Sequence, residues 1–378
     1  MREKEFDAAI LGAGPAGCAT ALALQARGIE RVLLVDRAPP AAFIPGESAT
    51  PDIARLLGAF GLDCDLNRLG ALVYFGNLSA WGGPPQLSLF GKRGTGWHLD
   101  RARFDSWLRH ETASRGARLA CPARLGAIAR QDGGWDLALE GFDAARARVI
   151  VDAAGRRAPL ATRVGAKRRK LDDLVALAVR VPCAARRGLA GYSFVESFAD
   201  GWWYAAHVPP ADAVVMLMTD RDIAQGYRDG ASFVRAWRDT TELCRRLEAP
   251  ERCVSPQIFA AHGGFLDRGA GEGWIAVGDA LLSFDPLTSS GLSGAFNDAV
   301  AAAAAIEEML NGGEPSAAYA HRAHAALKRY LREHAAYYGV ERRWPTRSFW
   351  ARRTQPIGAA PRAPAQAMPS TQDLPPIR

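Results

Sequence analysis

The stretch Asp7-Ala-Ala-Ile-Leu-Gly12-Ala-Gly14-Pro-Ala-Gly17 decides the fold of this 378-residue chain. A short apolar run leads directly into the glycines, and residues 18–27 then show an Ala- and Leu-rich helical periodicity. Gly12 allows a tight turn, Gly14 lets the backbone approach a pyrophosphate, and Gly17 lets the helix pack close to the strand. The N–H groups at the start of the helix would face the phosphates. The pattern therefore predicts a nucleotide-binding strand–turn–helix.

A second apolar segment completes a β-α-β unit. Gly28 ends the predicted helix, and Arg31-Val-Leu-Leu-Val35 is typical of a buried strand that closes on Asp36. Asp36 lies 24 residues after Gly12 (36 − 12), where an acidic side chain can accept hydrogen bonds from the adenosine ribose. An acid at this place favours a free ribose 2′-hydroxyl, as in FAD or NAD, over the 2′-phosphate of NADPH.

Two later segments indicate FAD rather than NAD. Residues 149–156 form a predicted strand that stops in a small-residue turn at Gly155. A second strand ends in Gly278-Asp279, ahead of Asp285-Pro-Leu-Thr-Ser-Ser-Gly291 and an Ala-rich helix. Asp279 can accept from a ribityl hydroxyl, and the N–H groups around Gly291 can face the flavin pyrimidine edge. A plain NAD dehydrogenase needs neither segment.

These residues resemble the FAD-binding motifs of the p-hydroxybenzoate-hydroxylase-like superfamily, in the branch of flavin-dependent halogenases and geranylgeranyl-reductase-like proteins. The Gly-Glu-Ser turn of that branch matches residues 46–48, its Arg-x-x-Phe-Asp matches residues 101–105, and its Asp-Pro-Leu-x-Ser-x-Gly loop matches residues 285–291. The resemblance implies non-covalent FAD, with Arg101 helping to hold it and the Gly-Glu-Ser turn near its ribityl chain and ring. The predicted cofactor-binding residues are Gly12, Gly14, Ala16, Gly17, Asp36, Arg37, Glu47, Ser48, Arg101, Gly155, Asp279, Pro286, Ser290, Gly291 and Leu292.

The motifs that halogenases need are missing. Halogenases carry a lysine near a W-x-W-x-I-P region, and tryptophan halogenases carry a Glu in the Asp-Pro-Leu loop. Thr288 stands where that Glu would be, residues 69–78 contain no lysine, and the double-Trp motif survives only as Gly201-Trp-Trp-Tyr204. Halogenation is therefore not expected.

Four Trp-containing segments resemble a narrower group, the LodB-like flavoproteins that mature lysine ε-oxidase and glycine oxidase. They are Ser79-Ala-Trp-Gly82, Gly96-Trp-His-Leu-Asp-Arg101, Asp200-Gly-Trp-Trp-Tyr204 and Glu341-Arg-Arg-Trp-Pro345. The resemblance implies oxygenation, with O₂, of a tryptophan in an immature oxidase polypeptide while its quinone cofactor is built.

Three functions stay open at this point. The leading one is an FAD-dependent monooxygenase acting on an aromatic group, such as a tryptophan side chain of a partner protein. The alternatives are a geranylgeranyl-reductase-like reductase, which would have a deep apolar tunnel, and a non-catalytic FAD-bound assembly factor. No second Gly-rich motif for binding NAD(P)H is present. The electron donor is therefore left open between NAD(P)H that binds transiently and a separate flavin reductase.

The candidate catalytic residues are Glu47, His98, Trp203, Tyr204 and His207. The candidate proton donors are His98, His207 and Tyr204, although a lone histidine more often serves as a structural hydrogen-bonding group than as a proton donor. Trp203 either lines an aromatic site beside the substrate or belongs to the core of a second sheet. No spacing typical of a metal site is present.

The strand pattern predicts a mixed fold: a discontinuous Rossmann-like FAD-binding domain with an inserted antiparallel-sheet substrate domain and C-terminal helices. We assign residues 1–75, 98–170 and 262–312 to the FAD-binding domain, and residues 76–97 and 171–261 to the substrate domain. Residues 313–354 are predicted as a helical segment, and the Pro- and Ala-rich residues 355–378 as a disordered tail.

Composition excludes two classes of partner. The formal net charge is +7, but arginines spread along the chain supply nearly all of the positive charge, so no nucleic-acid footprint is expected. No apolar run is long enough to span a bilayer. The six cysteines are scattered, which is typical of a reducing compartment, and we expect a cytoplasmic protein.

Overall fold

The computed structural model describes residues 4–38, 43–62, 65–183, 188–189, 191–252, 254–315 and 317–354. The helices are α1 (Pro15–Gln25), α2 (Asp52–Ala59), α3 (Arg101–Ser114), α4 (Pro159–Arg163), α5 (Gly230–Arg238), α6 (Leu243–Arg246), α7 (Gly291–Leu310), α8 (Ala317–Tyr338) and α9 (Ser348–Thr354). Short 3-10 helices span Gly91–Arg93, Gly155–Arg157, Ile223–Tyr227, Gly278–Ala280 and Pro286–Thr288.

The strands are β1 (Lys4–Leu11), β2 (Val32–Val35), β3 (Ser48–Ala49), β4 (Leu72–Tyr74), β5 (Gly76–Ala80), β6 (Gln86–Leu89), β7 (Gly96–His98), β8 (Arg118–Ala120), β9 (Arg124–Gln131), β10 (Gly134–Glu140), β11 (Ala145–Asp152), β12 (Arg168–Lys170), β13 (Leu174–Pro182), β14 (Tyr192–Phe198), β15 (Gly201–Val208), β16 (Asp212–Asp220), β17 (Gln257–Ala260), β18 (Gly264–Leu266), β19 (Ala270–Gly271), β20 (Trp274–Ala276) and β21 (Leu282–Ser283).

The first large sheet has eight strands and carries the nucleotide motif. Its strand order is β19-β20-β11-β1-β2-β8, and β9 and β10 extend it from β11. The central pairs β20–β11, β11–β1, β1–β2 and β2–β8 are parallel. All four residues of β2 are buried, as expected for a parallel strand that is covered on both faces.

The second large sheet has seven strands in the order β17-β13-β16-β15-β14-β5-β6. All of its pairs are antiparallel except β14–β5. One face packs on α5 and α6 through a cluster that contains Trp203, Phe233 and Trp237. The other face packs a cluster that contains Trp81, Trp202 and residues after α8. Two three-stranded sheets, β3-β7-β4 and β12-β18-β21, complete the strand pairing of the described residues.

The C-terminal helices are fastened to the second sheet by a buried ion pair. Arg353 on α9 donates to both carboxylate oxygens of Asp220 at the end of β16, over 2.6 and 3.1 Å. Arg352 donates to the same carboxylate over 2.8 Å, but its side chain is 47% exposed whereas that of Arg353 is 3% exposed. The end of the described chain is therefore held against the face that carries Trp202.

The predicted fold class is confirmed: a mixed α/β molecule combines a parallel nucleotide-type sheet with a large antiparallel sheet and C-terminal helices. The domain boundaries stay a prediction, and the predicted disordered tail at 355–378 lies outside the described residues. Within the described part of the chain, no helix has the length and apolar character needed to cross a membrane.

Candidate functional site

The Gly-rich loop between β1 and α1 has the close contacts that its sequence predicts. A Cβ atom on Gly17 would lie 1.8 Å from the carbonyl oxygen of Gly12, so only glycine allows α1 to pack this close to the loop. Gly12 has φ +108°, and a Cβ there would lie 2.4 Å from the carbonyl oxygen of Ala153. Gly14 differs, because a Cβ on this residue would meet no atom within 4 Å. The open side of the loop is thus the side that a cofactor backbone can approach.

The acidic residue at the end of β2 is held by the same loop. Asp36 Oδ2 accepts a hydrogen bond from the Ala13 amide over 2.8 Å and one from Arg109 Nη2 over 3.0 Å. Arg109 on α3 also donates to the Ala13 carbonyl oxygen over 2.8 Å. No local motif indicates Arg109, since it reaches the loop only through the packing of α3. Arg37, a predicted cofactor residue, is exposed beside Asp36.

The two strand-end turns that indicated FAD lie next to each other and next to α1. Arg156 Nε lies 3.4 Å from Asp279 Oδ2, which joins the turn after β11 to the turn after β20. A Cβ on Gly278 would lie 2.7 Å from the Cβ of Ala16 in the first turn of α1. Gly155 has φ +75° and open space around it. Ala16, Gly155 and Asp279 are therefore brought together at one edge of the sheet.

The loop before α7 is built around Asp285. Its Oδ1 accepts from the Leu287 amide over 2.9 Å, and its Oδ2 accepts from the Tyr338 hydroxyl over 2.6 Å. Burial acts against ionisation of Asp285, but the His334 ring 3.6 Å away and the hydrogen bond from Tyr338 hold the pKa of its carboxyl below the ordinary value. Pro286 opens the following 3-10 helix.

The N-terminal end of α7 follows this loop. Ser290 Oγ lies 2.8 Å from Thr288 Oγ1, and a Cβ on Gly291 would meet nothing within 4 Å. Leu292 is buried under the first turn. A 20-residue helix therefore begins with free N–H groups beside open space, which suits a group that becomes negative on reduction.

The Gly-Glu-Ser turn is held by Arg101. The guanidinium donates to the Gly46 carbonyl oxygen over 3.0 Å and pairs with both oxygens of Asp105 over 3.2 Å. Gly46 has φ +102°, and a Cβ on it would lie 2.8 Å from Arg101 Nη1. Arg101 thus fixes the turn that presents Glu47 and Ser48, in addition to any contact with a cofactor.

Behind this turn a buried polar network joins the small sheet β3-β7-β4 to the second large sheet. Ser48 Oγ lies 2.7 Å from the Tyr204 hydroxyl and 3.2 Å from Ser193 Oγ, and Ser193 Oγ lies 3.0 Å from His98 Nε2. The Tyr204 hydroxyl also lies beside the Glu47 carboxyl, and each group shifts the pKa of the other. Three of the five predicted catalytic residues are therefore in one network, together with Ser193, which the sequence did not indicate.

Burial sets the ionisation of this network. Desolvation raises the pKa of the Glu47 carboxyl, which is 2% exposed, in spite of its hydrogen bonds and the charge of Arg101. Burial, and to a lesser degree the electrostatic influence of His207, lowers the pKa of His98 to about 3. His98 is therefore a neutral ring at neutral pH, and Tyr74 stacks on it with ring centroids 4.2 Å apart.

The other two predicted catalytic residues lie on the opposite side of the second sheet. Successive side chains of β15 alternate, so Trp203 packs with Phe233 while Trp202 and Tyr204 face the other way. His207 pairs with Ala213, which belongs to the cluster of Trp203. Neither Trp203 nor the His207 ring shares the face of Tyr204. Trp203 is surrounded by core side chains of the second sheet, which corresponds to the second of the two roles considered for it.

A small open cleft reaches Glu47 from outside the network. Apolar side chains form part of its lining, including Phe43, Leu99, Val208 and Val214. Arg101, Asp100 and Arg180 supply charged groups at the same cleft. No group of three or more His, Cys, Asp and Glu side chains suited to a metal ion occurs in the described ranges.

Comparison with known proteins supports the assignment of this site to a flavin. No family model matches the chain. The putative FAD-dependent oxidoreductase LodB of Marinomonas mediterranea is 29% identical over 365 residues, covering 93% of this chain and 97% of LodB. The structure of QhpG, a peptidyl tryptophan dihydroxylase essential for tryptophylquinone cofactor biogenesis, has a TM-score of 0.76 at 25% identity, covering 92% and 78% of the two chains. The flavin-dependent brominase Bmp2 has a TM-score of 0.79 at 20% identity, covering 89% and 87%.

These similarities confirm that the chain is an FAD-dependent oxidoreductase and that FAD is its cofactor. They also confirm the resemblance to flavoprotein monooxygenases and halogenases, including LodB-like proteins. The open glycines at positions 14, 155 and 291 fit this cofactor, because each leaves space where its backbone can be approached.

Proposed function

We propose that this protein is an FAD-dependent monooxygenase that oxygenates an aromatic side chain in a partner polypeptide, with tryptophan in an immature oxidase as its substrate. The observation that carries the proposal is the position of the Tyr204 and Ser48 hydroxyls. Their contact joins the Gly-Glu-Ser turn to the second large sheet, in a network that also contains buried Glu47 and His98. Oxygen transfer needs a water-poor site that still contains a proton donor.

The residues that would hold FAD are those of the open loop, the strand-end turns and the start of α7. Gly12, Gly14 and Gly17 would admit the pyrophosphate, Asp36 would accept from the ribose, and Asp279 from the ribityl chain. When bound, FAD supplies the capture of O₂ by its reduced ring and the transfer of one oxygen atom to the substrate. The chain's own residues orient the cofactor, exclude water and deliver the proton.

The positions of the lysines favour oxygenation over halogenation. The chain has five lysines, and the four whose side chains the structure describes, Lys92, Lys167, Lys170 and Lys328, are all exposed. None of these four belongs to the polar network or lines the cleft at Glu47. A lysine that directs hypohalous acid to a ring would have to lie inside the site.

The similarity to LodB and QhpG supports a polypeptide substrate, because QhpG acts on a peptidyl tryptophan. Reduction of an alkene and a purely structural role in assembly are the competing functions, and they differ from oxygenation in their products. An alkene reductase adds two hydrogen atoms, and an assembly factor changes no mass at all.

The test is a single turnover in ¹⁸O₂. The FAD-loaded protein is reduced chemically, mixed with ¹⁸O₂ and a candidate oxidase precursor or a Trp-containing peptide from it, and the polypeptide is analysed by mass spectrometry. We expect labelled oxygen on an aromatic residue, and less label with the Gly14→Ala variant, which should bind FAD more weakly. Halide incorporation, alkene saturation or unchanged mass with every candidate would each contradict the proposal.

A further inference from the structure

The polar network behind the Gly-Glu-Ser turn is more deeply buried at its ends than in its middle. Glu47, Ser193 and His98 are buried, with exposed fractions of 2%, 2% and 1%. Tyr204 and Ser48 lie between these ends and are only partly buried. The two hydroxyls in the middle of the network are therefore more exposed than the groups at its ends.

We infer that Glu47 supplies, through the hydroxyls of Tyr204 and Ser48, the proton that the proposed oxygenation requires, and that Ser193 and His98 hold these hydroxyls in line. The inference rests on the proposed function for the reaction that consumes the proton. The path itself rests on the contacts of this chain.

Each linking group on the path can both donate and accept a hydrogen bond. The hydroxyls of Tyr204 and Ser48 have one proton and free lone pairs, so a proton can enter each oxygen while another leaves it. Their oxygens lie 2.7 Å apart, a normal distance for an O–H···O hydrogen bond. A carboxyl group at the end of such a chain can donate only when it is protonated.

The surroundings of Glu47 favour the protonated carboxyl. The charged or titratable groups near it are Arg101 on α3, Tyr204 on β15, Tyr74 on β4, and Asp100 and Arg180 at the cleft. The positive charge of Arg101 is already engaged by both oxygens of Asp105. Burial disfavours the carboxylate and raises the pKa of the Glu47 carboxyl, which favours its protonated form.

The transfer balances with one proton and no electron. The O–H bond of Glu47 breaks as its proton passes to the Tyr204 oxygen, and Tyr204 releases its own proton to the acceptor, directly or through Ser48. Glu47 is left as a carboxylate, which the nearby charge of Arg101 stabilises for a short time. The open cleft that Glu47 lines lets a proton from solvent restore the carboxyl.

His98 is a positioning residue on this path. Its ring is neutral at working pH, so it carries no proton to give, but its Nε2 lies 3.0 Å from Ser193 Oγ. Ser193 in turn lies 3.2 Å from Ser48 Oγ, and the stacked Tyr74 ring keeps the imidazole in its plane. The role of His98 is to fix the orientation of two serine hydroxyls.

The first measurement needs no turnover. Infrared spectra of the oxidised, FAD-loaded protein are compared with those of Glu47→Gln. We expect the wild type to show a carbonyl band of a protonated carboxylic acid that this variant lacks. Glu341→Gln is the matched control: Glu341 is equally buried, but although burial opposes ionisation, hydrogen bonds from Arg343 and Ser197 lower its pKa to about 2. That substitution should leave the band in place, and a band unchanged in Glu47→Gln would overturn the inference.

The second measurement is the rate at which each variant forms the oxygenated polypeptide in a single turnover. Glu47→Gln and Tyr204→Phe should slow the oxygenation by about 100-fold or more while the protein still retains FAD. Ser193→Ala should slow it less and should increase the solvent deuterium isotope effect, which a purely structural defect would not do. If Glu47→Gln does not fold, Tyr204→Phe alone tests the path, because it removes the linking hydroxyl and keeps the Glu47 carboxyl.

The two possible failures are separable. If Glu47→Gln oxygenates the polypeptide at the wild-type rate, the proton path is wrong and the proposed function stands. If no candidate is oxygenated by any form of the protein, the proposed function fails, and the infrared comparison still decides whether Glu47 holds a proton.

Discussion

The hydroxyl of Tyr338 donates a hydrogen bond to Asp285 Oδ2 over 2.6 Å and accepts one from Trp202 Nε1 over 3.0 Å. One buried oxygen thus connects α8, the loop before α7 and strand β15 of the second sheet. Because that loop leads into the helix end predicted to face the flavin, the C-terminal helices support the cofactor site from a distance.

Replacing Tyr338 by Phe tests this connection. The change removes the partner of Trp202 Nε1 and one of the hydrogen bonds to Asp285, so we expect a loss of about 1–3 kcal/mol in the free energy of unfolding and weaker FAD retention. Tyr337→Phe is the control, because this neighbour is 43% exposed and its ring contact with Trp81 is kept. Thermal unfolding and FAD titration measure both effects, and equal behaviour of the two variants would contradict the prediction.

Two substitutions in the Gly-rich loop should separate folding from cofactor binding. Gly14→Ala places its methyl group in open space, so the protein should fold with near wild-type stability but bind FAD at least about tenfold more weakly. Gly17→Ala forces a clash with the Gly12 carbonyl and should reduce stability as well. Gly226→Ala, where a Cβ also meets nothing within 4 Å, should affect neither. Normal FAD affinity in Gly14→Ala would show that the cofactor does not approach this residue.

The buried ion pair between Arg353 and Asp220 should dominate the attachment of α9. Arg353→Met leaves a buried carboxylate with only the partly exposed Arg352, and we expect a loss of about 3 kcal/mol. Arg352→Met should cost no more than about 1 kcal/mol, because its side chain is 47% exposed. Urea unfolding of both variants measures the difference, and a larger loss for Arg352→Met would reverse this ranking.

The neutral state of His98 should appear as a pH dependence of stability. The pKa of His98 falls from 6.5 to about 3 on folding, chiefly through burial, so between these values the unfolded chain binds a proton that the folded chain does not. Its contribution is complete above pH 6.5 and is lost progressively as the pH falls towards 3. His98→Gln should therefore flatten the decrease in unfolding free energy over this range, and His321→Gln, an exposed site on α8, should not. Parallel curves for all three proteins would contradict a neutral His98.

The parts of the fold and site that could be predicted are those encoded by short segments. The loop of Gly12, Gly14 and Gly17 is such a case, because steric demands between neighbours in sequence fix which residue fits. The turn at Asp279 is another, since it follows a recognisable strand. Local sequence patterns were enough to predict that the functional motifs lie at strand ends and helix starts.

The partners of those motifs could not be predicted, because long-range packing selects them. Ser48 and Ser193 are 145 residues apart, and Arg109 reaches Asp36 across 73 residues. The sequence also did not indicate which side chains of β15 point to which face of the sheet. Nearly all of its residues are buried, so the period of two that separates an inner from an outer face is absent, and Trp202 and Trp203 look alike in sequence.

The order of strands in the first sheet also determines when cofactor loading can occur during synthesis. The Gly-rich loop leaves the ribosome early, but β20 must pair with β11, and the turn at Asp279 and the start of α7 follow only after about three quarters of the chain. A nascent chain therefore presents a phosphate loop long before it has the groups that would face the flavin ring. Stable capture of FAD must wait until these later segments have been translated, so a truncated chain that ends before residue 274 should accumulate as apoprotein.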